Sequence, residues 1–392
     1  MNNSMITRYA SFLLVFGFFI SCSSSKFSAD NLIREGKYQE AIDKIDIELD
    51  KNPSSNLYFQ KGELHALIAL ENPVELRDFS YQNMAMAFDS AKFYASELTD
   101  NFVEPRIDSL TLYYWDLEHQ AGLSEYEKNT EASTVNAINH FNNAIAIDSE
   151  QIKSYKSLSI ALYNTDDVDA AIEVLSKGEL INKGDREIFE NLGFLYLEVG
   201  NPEQSISYYK KANQDPIKIK NVAFGLVNAY ISQNRISEAT SFLSKLVNEY
   251  PNEAKLHNVY GTQLYNQVSL LIPNLNSAFS SNDSSTVNTL MVEIEGLSEE
   301  AENELIEAYK ADTSSVEYTE SLAVFYNNMS GNYFSTLDIA FENNKNGLKT
   351  KALSLTEFAI TYYKKLVELN GDNASYSSKI DNLNTLKDSW NK

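Results

Sequence analysis

The feature that most limits the fold of this chain is the recurrence of residue types every 34 positions over residues 152–253. Large apolar, aromatic and small residues fall at the same places in successive rows. The aligned columns are Tyr155, Phe189, Ala223 and His257; Leu158, Leu192, Leu226 and Tyr260; Leu162, Tyr196, Tyr230 and Leu264; and Ala171, Ser205 and Ala239. A fixed period of this length indicates a repeated supersecondary unit.

The aligned positions within each row lie three or four residues apart, which places them on one face of a helix. Breakers such as Gly200-Asn201-Pro202 predict a turn between a first and a second helix. Gly193 and Gly261 have no side chain, so we expect the facing helix to approach closely there. One hairpin cannot bury its apolar face alone, so at least three must stack. The alternative is a non-repeating helical domain with a chance alignment.

This pattern resembles the tetratricopeptide repeat (TPR), a helix–turn–helix unit. The resemblance implies an all-α fold, a right-handed α-solenoid of about eight TPR-like hairpins with a C-terminal capping helix. We expect the solenoid over 29–253, with regular repeats at about 152–185, 186–219 and 220–253. Residues 56–131 are expected to hold two units with lengthened turns or helices.

Beyond residue 253 the repeat lengthens. After Ala239 the next residue of this column is due at position 273, but the matching pattern occurs at Ala301, which leaves 28 additional residues. The following match is due at position 335 and occurs at Ala359, which leaves 24. Both insertions keep apolar residues at helical spacing. The sequence therefore predicts two elongated hairpins over 254–371.

Within these elongated hairpins, the runs 280–285 and 343–347 are rich in Ser, Asn, Asp and Gly, so we predict a turn at each. Residues 372–392 are predicted to form the capping helix, because the polar residues on one of its sides suit a terminal element on which nothing stacks.

The N-terminal residues form a segment of a different kind. Arg8 precedes an apolar run over 10–20, which is too short to span a bilayer as a helix and is typical of a signal peptide. Cys22, the only cysteine, follows this run and resembles the lipidated cysteine of bacterial lipoproteins. That resemblance implies a signal peptide at 1–21 and a tether over 22–28. An ordinary signal peptide with an incidental cysteine is the alternative.

The charge balance bears on partners. The formal net charge of −23 predicts an acidic surface that repels phosphate backbones, so we expect no nucleic-acid partner.

The sequence carries no motif for catalysis, a metal or a cofactor. The four histidines, His65, His119, His140 and His257, form no i,i+4 pair of ligands, and no HExxH, CxxC, Walker or GxGxxG motif occurs. His257 occupies an aromatic column, so we expect it to pack between helices. His140 is expected at the surface or at an interface. We therefore predict a protein that is not an enzyme and that needs no cofactor.

The resemblance to TPR arrays also implies a binding surface, because first helices line a concave groove in that family. The groove positions of these units are Lys153, Lys156, Ile160, Tyr163, Glu190, Asn191, Phe194, Asn221, Phe224, Asn228 and Tyr265. Lys156 and Asn191 match the family's clamp for a C-terminal carboxylate, but Ile160, Asn221 and Gly225 do not, so that clamp is absent. The alternative for each aromatic residue is packing between repeats.

Two functions remain at this point. The first is a non-enzymatic TPR lipoprotein that acts as a protein–protein interaction scaffold or assembly factor at the bacterial cell envelope. It would be lipid-anchored at the outer membrane, facing the periplasm or the cell surface, and would bind a protein or peptide in the groove. The second is an uptake lipoprotein for a glycan or small solute. A closed pocket lined by Trp115 or by converging tyrosines would favour the second, and an open groove would favour the first.

Overall fold

The computed structural model describes residues 29–98, 103–213, 215–371 and 374–390. The predicted signal peptide at 1–21, the lipidation site Cys22 and the tether over 22–28 lie outside these residues. Over the described ranges the chain forms seventeen α-helices and two short 3-10 turns, and it forms no β-strand there. The predicted all-α fold is confirmed.

The chain divides into two compact units, Met1–Thr165 (unit 1) and Asp166–Lys392 (unit 2). The helices of unit 1 are α1 (Ala29–Arg34), α2 (Tyr38–Leu49), α3 (Ser55–Glu71), α4 (Asp78–Leu98), α5 (Val103–Tyr126), α6 (Glu131–Ile147) and α7 (Ile152–Tyr163). The helices of unit 2 are α8 (Val168–Ile181), α9 (Arg186–Glu198), α10 (Pro202–Ala212), α11 (Lys220–Ser232), α12 (Ile236–Glu249), α13 (Ala254–Ser280), α14 (Ser284–Ala311), α15 (Val316–Thr336), α16 (Glu342–Asn370) and α17 (Ala374–Trp390).

Each unit is built from stacked helix hairpins. Within a unit every helix packs against the next one along the chain. In addition, α3 contacts α5 and α4 contacts α6 in unit 1, and α9 contacts α11 and α13 contacts α15 in unit 2. Contacts between alternate helices arise when successive hairpins stack, because their corresponding helices then become neighbours.

Glycines on the first helices of unit 2 allow the close packing expected from the sequence. A Cβ atom at Gly193 would stand 2.9 Å from Cδ1 of Tyr209, whose ring lies between α9 and α11. The same ring fills the space beside Gly225, where a Cβ would be closer still. A Cβ at Gly261 would stand 2.8 Å from the backbone oxygen of Ala301. These positions therefore accept no side chain without a shift of the neighbouring helix.

The two elongated hairpins are present as helices. The first pairs α13, of 27 residues, with α14, of 28, and the second pairs α15, of 21, with α16, of 29. The turn predicted over 280–285 is present between α13 and α14. Asn282 takes a positive φ of 58° there, and the Asp283 carboxylate accepts the backbone N–H of Thr286 to cap α14.

The turn predicted at 343–347 is wrong. Those residues lie inside α16, and the chain instead reverses over 337–341. Leu337 and Ala340 are buried, and the ring of Phe341 packs edge-on against Phe279 at 5.0 Å between ring centroids. Tertiary burial of these apolar residues fixes the corner, and the Asn- and Gly-rich run that follows is accommodated in the first turns of a helix.

The two lengthened repeats predicted over 56–131 have long helices. In unit 1, α4 has 21 residues and α5 has 24, so residues 56–131 carry their excess length mainly in these two helices. At the other end of the chain, α17 buries Tyr376 and Leu383 and leaves most of its remaining side chains exposed or half-buried. No helix in the described part of the chain combines the length and apolarity needed to cross a membrane.

Candidate partner-binding surface

The sequence-predicted groove residues lie on α7 in unit 1 and on α9, α11 and α13 in unit 2. We call the surface formed by α9, α11, α13, α15 and α17 the first-helix face of unit 2. In unit 1 four of these residues belong to α7. Lys153 is exposed, Ile160 is 44% exposed, and Lys156 and Tyr163 are half-buried. Their spacing of three or four residues places them on one side of α7.

In unit 2 the predicted residues are distributed over three first helices. On α9, Glu190 and Asn191 are half-buried, and Phe194 is 39% exposed. On α11, Asn221 and Asn228 are exposed, and Phe224 is half-buried. On α13, Tyr265 is half-buried and its ring packs edge-on against Phe325 of α15, at 5.8 Å between centroids. Tyr265 therefore packs between hairpins and still reaches the surface.

Polar contacts join successive first helices at this face. Asn258 of α13 donates from Nδ2 to Oε1 of Glu317 on α15, at 3.3 Å. The hydroxyl of Tyr376 on α17 donates to Oε1 of Glu320 on α15, at 3.2 Å. The helix α17 thus continues the row of first helices beyond the last hairpin, and α13, α15 and α17 form one polar surface.

A pocket of about 350 Å³ opens on this surface between α13, α15 and α17. Its lining residues are Tyr265, Asn327, Asn328, Ser330, Gly331, Asn332, Leu383 and Leu386. None of these side chains is charged, and three of them are amides. The pocket therefore offers hydrogen-bond donors and acceptors beside a phenol ring and two leucines.

The hydrogen bonds of the lining residues show which of their polar groups are already used within the protein. Ser330 is buried and its hydroxyl bonds to Ala352 O and to the hydroxyl of Thr356, so it is used internally. Asn327 donates from Nδ2 to Oδ1 of Asn328 at 3.0 Å, which leaves the Nδ2 group of Asn328 as a donor. A Cβ atom on Gly331 would meet nothing within 4 Å, so the missing side chain keeps the pocket open.

Most of the pocket was missed by the sequence-based prediction, although part of it was within reach. Tyr265 was predicted. When Val316 is aligned with Ala254, the first residue of α13, Asn327 aligns with the predicted groove residue Tyr265, and Asn328 is the next residue. Leu383 and Leu386 could not be found this way, because their position depends on how α17 packs against α15.

A buried carboxylate in unit 1 organises a second polar cluster, which we call the Glu118 network. The side chain of Glu118 is 1% exposed. The Tyr81 hydroxyl donates to Oε1 at 2.8 Å and Arg77 Nη1 donates to the same atom at 3.0 Å. His140 Nδ1 lies 2.6 Å from Oε2, and Asn143 Nδ2 donates to Oε2 at 3.3 Å. The network thus ties α4, α5 and α6 to the residue that precedes α4.

The electrostatics of the network favour a charged carboxylate. Burial by itself would raise the pKa of Glu118, but the hydrogen bonds from His140 and Tyr81 and the charges of His140 and Arg77 outweigh it, so the pKa lies below its usual value. His140, which was expected at the surface or at an interface, lies at the contact between α6 and α5, where its side chain is 14% exposed and joins this network.

Trp115 and His257, which the sequence analysis also named, make contacts with other residues of the protein. Trp115 is 6% exposed, stacks on His119 at 4.9 Å between centroids and donates from Nε1 to Ser154 Oγ at 2.9 Å. His257 lies 2.5 Å from Glu304 Oε2 through Nδ1 and 2.9 Å from Pro251 O through Nε2. Among the described residues, no group of three or more His, Cys, Asp or Glu side chains is placed to hold a metal ion.

Comparison with known proteins identifies the repeat. Residues 187–214, which include α9 from its second residue and all of α10, match the family model described as Tetratricopeptide repeat. This chain contains a TPR. The predicted resemblance is therefore confirmed, and the Tyr209 ring that separates Gly193 from Gly225 belongs to this TPR.

Several solved structures are similar to this chain at low sequence identity. The MamA protein is 14% identical, with a TM-score of 0.40, and the match covers 52% of this chain and 95% of MamA. PilF of Pseudomonas aeruginosa is 12% identical, with a TM-score of 0.44 and coverages of 68% and 97%. YrrB, described as a TPR protein with an unusual peptide-binding site, is 13% identical, with a TM-score of 0.40 and coverages of 61% and 96%. Among curated proteins, none is significantly similar to this chain in sequence.

Proposed function

We propose that this protein is a non-enzymatic scaffold that holds an extended, uncharged segment of a partner protein on the first-helix face of unit 2. TPR units of this kind support protein or peptide binding, and the partner, the site and the cellular setting are parts of the proposal. The observation that carries it is the open pocket between α13, α15 and α17, which continues a surface of exposed amides and aromatic rings.

The lining of the pocket limits the chemistry of the bound segment. Asn328 and Asn332 can each donate and accept, which suits a peptide backbone or a neutral polar side chain. Leu383, Leu386 and the Tyr265 ring provide apolar contact for the rest of the segment. A charged group would find no counter-ion in the lining and would lose hydration on entry, so we expect neutral segments to be preferred.

A pocket-filling substitution tests this proposal. Gly331→Leu places a side chain in the open space of the pocket, and Gly296→Leu is its matched control. Gly296 is also helical, and a Cβ atom there also meets nothing within 4 Å. A photo-reactive residue at position 328, introduced in the native host, should yield a discrete crosslinked partner. We expect Gly331→Leu to abolish that adduct and Gly296→Leu to retain it.

Two outcomes of this experiment would contradict the proposal. If position 328 gives no adduct, or if Gly331→Leu leaves the adduct unchanged, the pocket is not the binding surface. A photo-reactive residue at the exposed Asn303 on the second helix α14 reports random collisions and should give no discrete product.

The cell-envelope setting is a further part of the proposal, and it rests on the N-terminal sequence. A lipid on Cys22 would anchor the chain to a membrane, and more than one acyl chain is needed for a stable anchor. Intact-mass analysis of the chain from its host should show the loss of residues 1–21 and the mass of a lipidated cysteine. Cys22→Ser should move the protein from the membrane fraction to the soluble fraction.

An uptake lipoprotein for a small neutral ligand is the second candidate, and the volume of the pocket favours it, because about 350 Å³ lies in the range of small-molecule sites. Two observations weigh toward the scaffold. Trp115 is enclosed in unit 1, and only one tyrosine lines the pocket. A panel of neutral sugars should leave the thermal unfolding midpoint unchanged if the scaffold proposal holds, whereas saturable stabilisation that Gly331→Leu removes would favour uptake.

A further inference from the structure

An exposed apolar stripe runs along α4 in unit 1, on the side that faces away from the core. Phe79, Met86 and Phe93 are 70%, 58% and 59% exposed, and they lie seven residues apart. Leu76, in the 3-10 turn before the helix, is 60% exposed. Seven-residue spacing keeps side chains on one side of a helix, which is the arrangement that packs against another helix. We call Phe79, Met86 and Phe93 the α4 stripe.

The polar residues between the stripe positions already form hydrogen bonds on their own helix. Asn83 donates from Nδ2 to Phe79 O at 2.9 Å, and the Ser90 hydroxyl donates to Met86 O at 2.9 Å. These two bonds lie within α4, so they would be kept if a second helix covered the stripe. The stripe is therefore suited to burial along its whole length, although it is exposed in a single chain.

We propose that the α4 stripe is an interface between two copies of this chain, with the two α4 helices antiparallel and the two-fold axis at Met86. The helix is self-complementary about that point. Phe79 and Phe93 lie seven residues on either side of Met86, so each phenylalanine meets the other one of the second copy.

The charged residues beside the α4 stripe favour an antiparallel arrangement of the two α4 helices over a parallel one. Asp78 and Lys92 lie on the same side of α4, near opposite ends, so the two-fold axis brings Asp78 of one copy toward Lys92 of the other. Lys92 is 2.7 Å from Asp108 within its own chain and is 37% exposed in its side chain, so it can also reach a second carboxylate. Asp89 faces the neutral Gln82 of the second copy, so no like charges meet along this flank.

The apolar area that the stripe exposes indicates how stable the proposed dimer should be. Given these exposed fractions, the stripe and Leu76 present roughly 400–500 Å² of apolar surface, a patch size that is often functional. Two copies would bury roughly twice that area, which is at the low end for a specific interface. We therefore expect a dimer that dissociates on dilution.

Disulfide trapping tests both the interface and its direction. Cys22 is the only native cysteine, so Cys22→Ser in the full chain, purified in detergent, makes an introduced cysteine the sole thiol. Under mild oxidation Met86→Cys should form a covalent dimer. Phe79→Cys and Phe93→Cys should each stay monomeric alone and should form a dimer when mixed. Efficient dimers of Phe79→Cys alone would overturn the antiparallel order.

Sedimentation of the unoxidised chain tests the interface without a crosslink. Met86→Glu should shift the chain to monomer, with its circular dichroism unchanged because Met86 is exposed. Val292→Glu on α14 is the control, because Val292 is 72% exposed and lies in unit 2, and it should leave the dimer intact. A wild-type chain that is monomeric at all concentrations would overturn the proposal. The proposal would also be overturned if the chain were monomeric and bound neutral lipid vesicles, and if Met86→Glu removed that binding. That result would assign the stripe to a membrane surface.

Discussion

Replacing Glu118 with alanine tests whether the Glu118 network holds unit 1 together. The substitution leaves Tyr81 and Asn143, both buried residues, without the carboxylate that their side-chain groups bond. It also removes the counter-ion of Arg77, whose side chain is 21% exposed. Breaking a buried charged pair by removing one partner costs about 3–5 kcal/mol. Because Arg77 can partly rehydrate, we expect a loss of about 3–4 kcal/mol in the free energy of unfolding.

The measurement must report unit 1 alone. The chain has two tryptophans, Trp115 and Trp390, so Trp390→Phe leaves Trp115 in unit 1 as the sole tryptophan, which excitation at the red edge of the spectrum selects over the tyrosines. Urea unfolding followed by Trp115 fluorescence then gives the stability of its surroundings. Asp116→Ala is a control on the same helix, because Asp116 is exposed, and we expect a change of no more than about 0.5 kcal/mol.

The pH dependence provides a second readout with a definite sign. The pKa of Glu118 is lower in the folded state than its usual value of 4.5, so its stabilising contribution is fully present above that value and is lost as the pH falls through the folded-state pKa. The difference between wild type and Glu118→Ala should therefore shrink in acid. A loss below about 1 kcal/mol at neutral pH, or a difference that does not change with acidification, would refute the reasoning.

Two other substitutions test packing and burial. Gly225→Ala should lower the free energy of unfolding of unit 2 by about 1–3 kcal/mol, because the Tyr209 ring occupies the space of the new methyl group. The control Gly296→Ala should be neutral or slightly stabilising, because its methyl group meets no neighbour. Equal effects of the two substitutions in urea unfolding would contradict the packing argument. Burial raises the pKa of Glu63 to about 7 against the charge of Arg106, so the folded state binds the extra proton and stability falls as pH rises from 4.5 toward 7. Glu63→Gln should remove this decline and stabilise unit 1 by about 3 kcal/mol at pH 8. A decline that persists in Glu63→Gln would exclude this assignment.

Most of the fold could be predicted from the repeat period. Columns at intervals of 34 residues predicted paired helices, the close approach at Gly193 and Gly261, and the elongated hairpins built from α13 to α16. These features follow from local spacing, because side chains three or four residues apart must share one side of a helix. The turn predicted at 343–347 failed because turn propensity is weak beside the burial of Leu337, Ala340 and Phe341.

The sequence by itself determined that the chain is an array of helix pairs and that Tyr265 lies on the first helix of a hairpin, and it predicts Cys22 as the position of a lipid. Only the tertiary structure decided that Glu118 and His140, 22 residues apart, meet in one interior network. It also decided that Leu383 and Leu386 close a pocket with Asn327, Asn328 and Asn332. The physical reason is that periodicity specifies which side of a helix is buried, whereas the stacking of distant helices specifies which side chains meet.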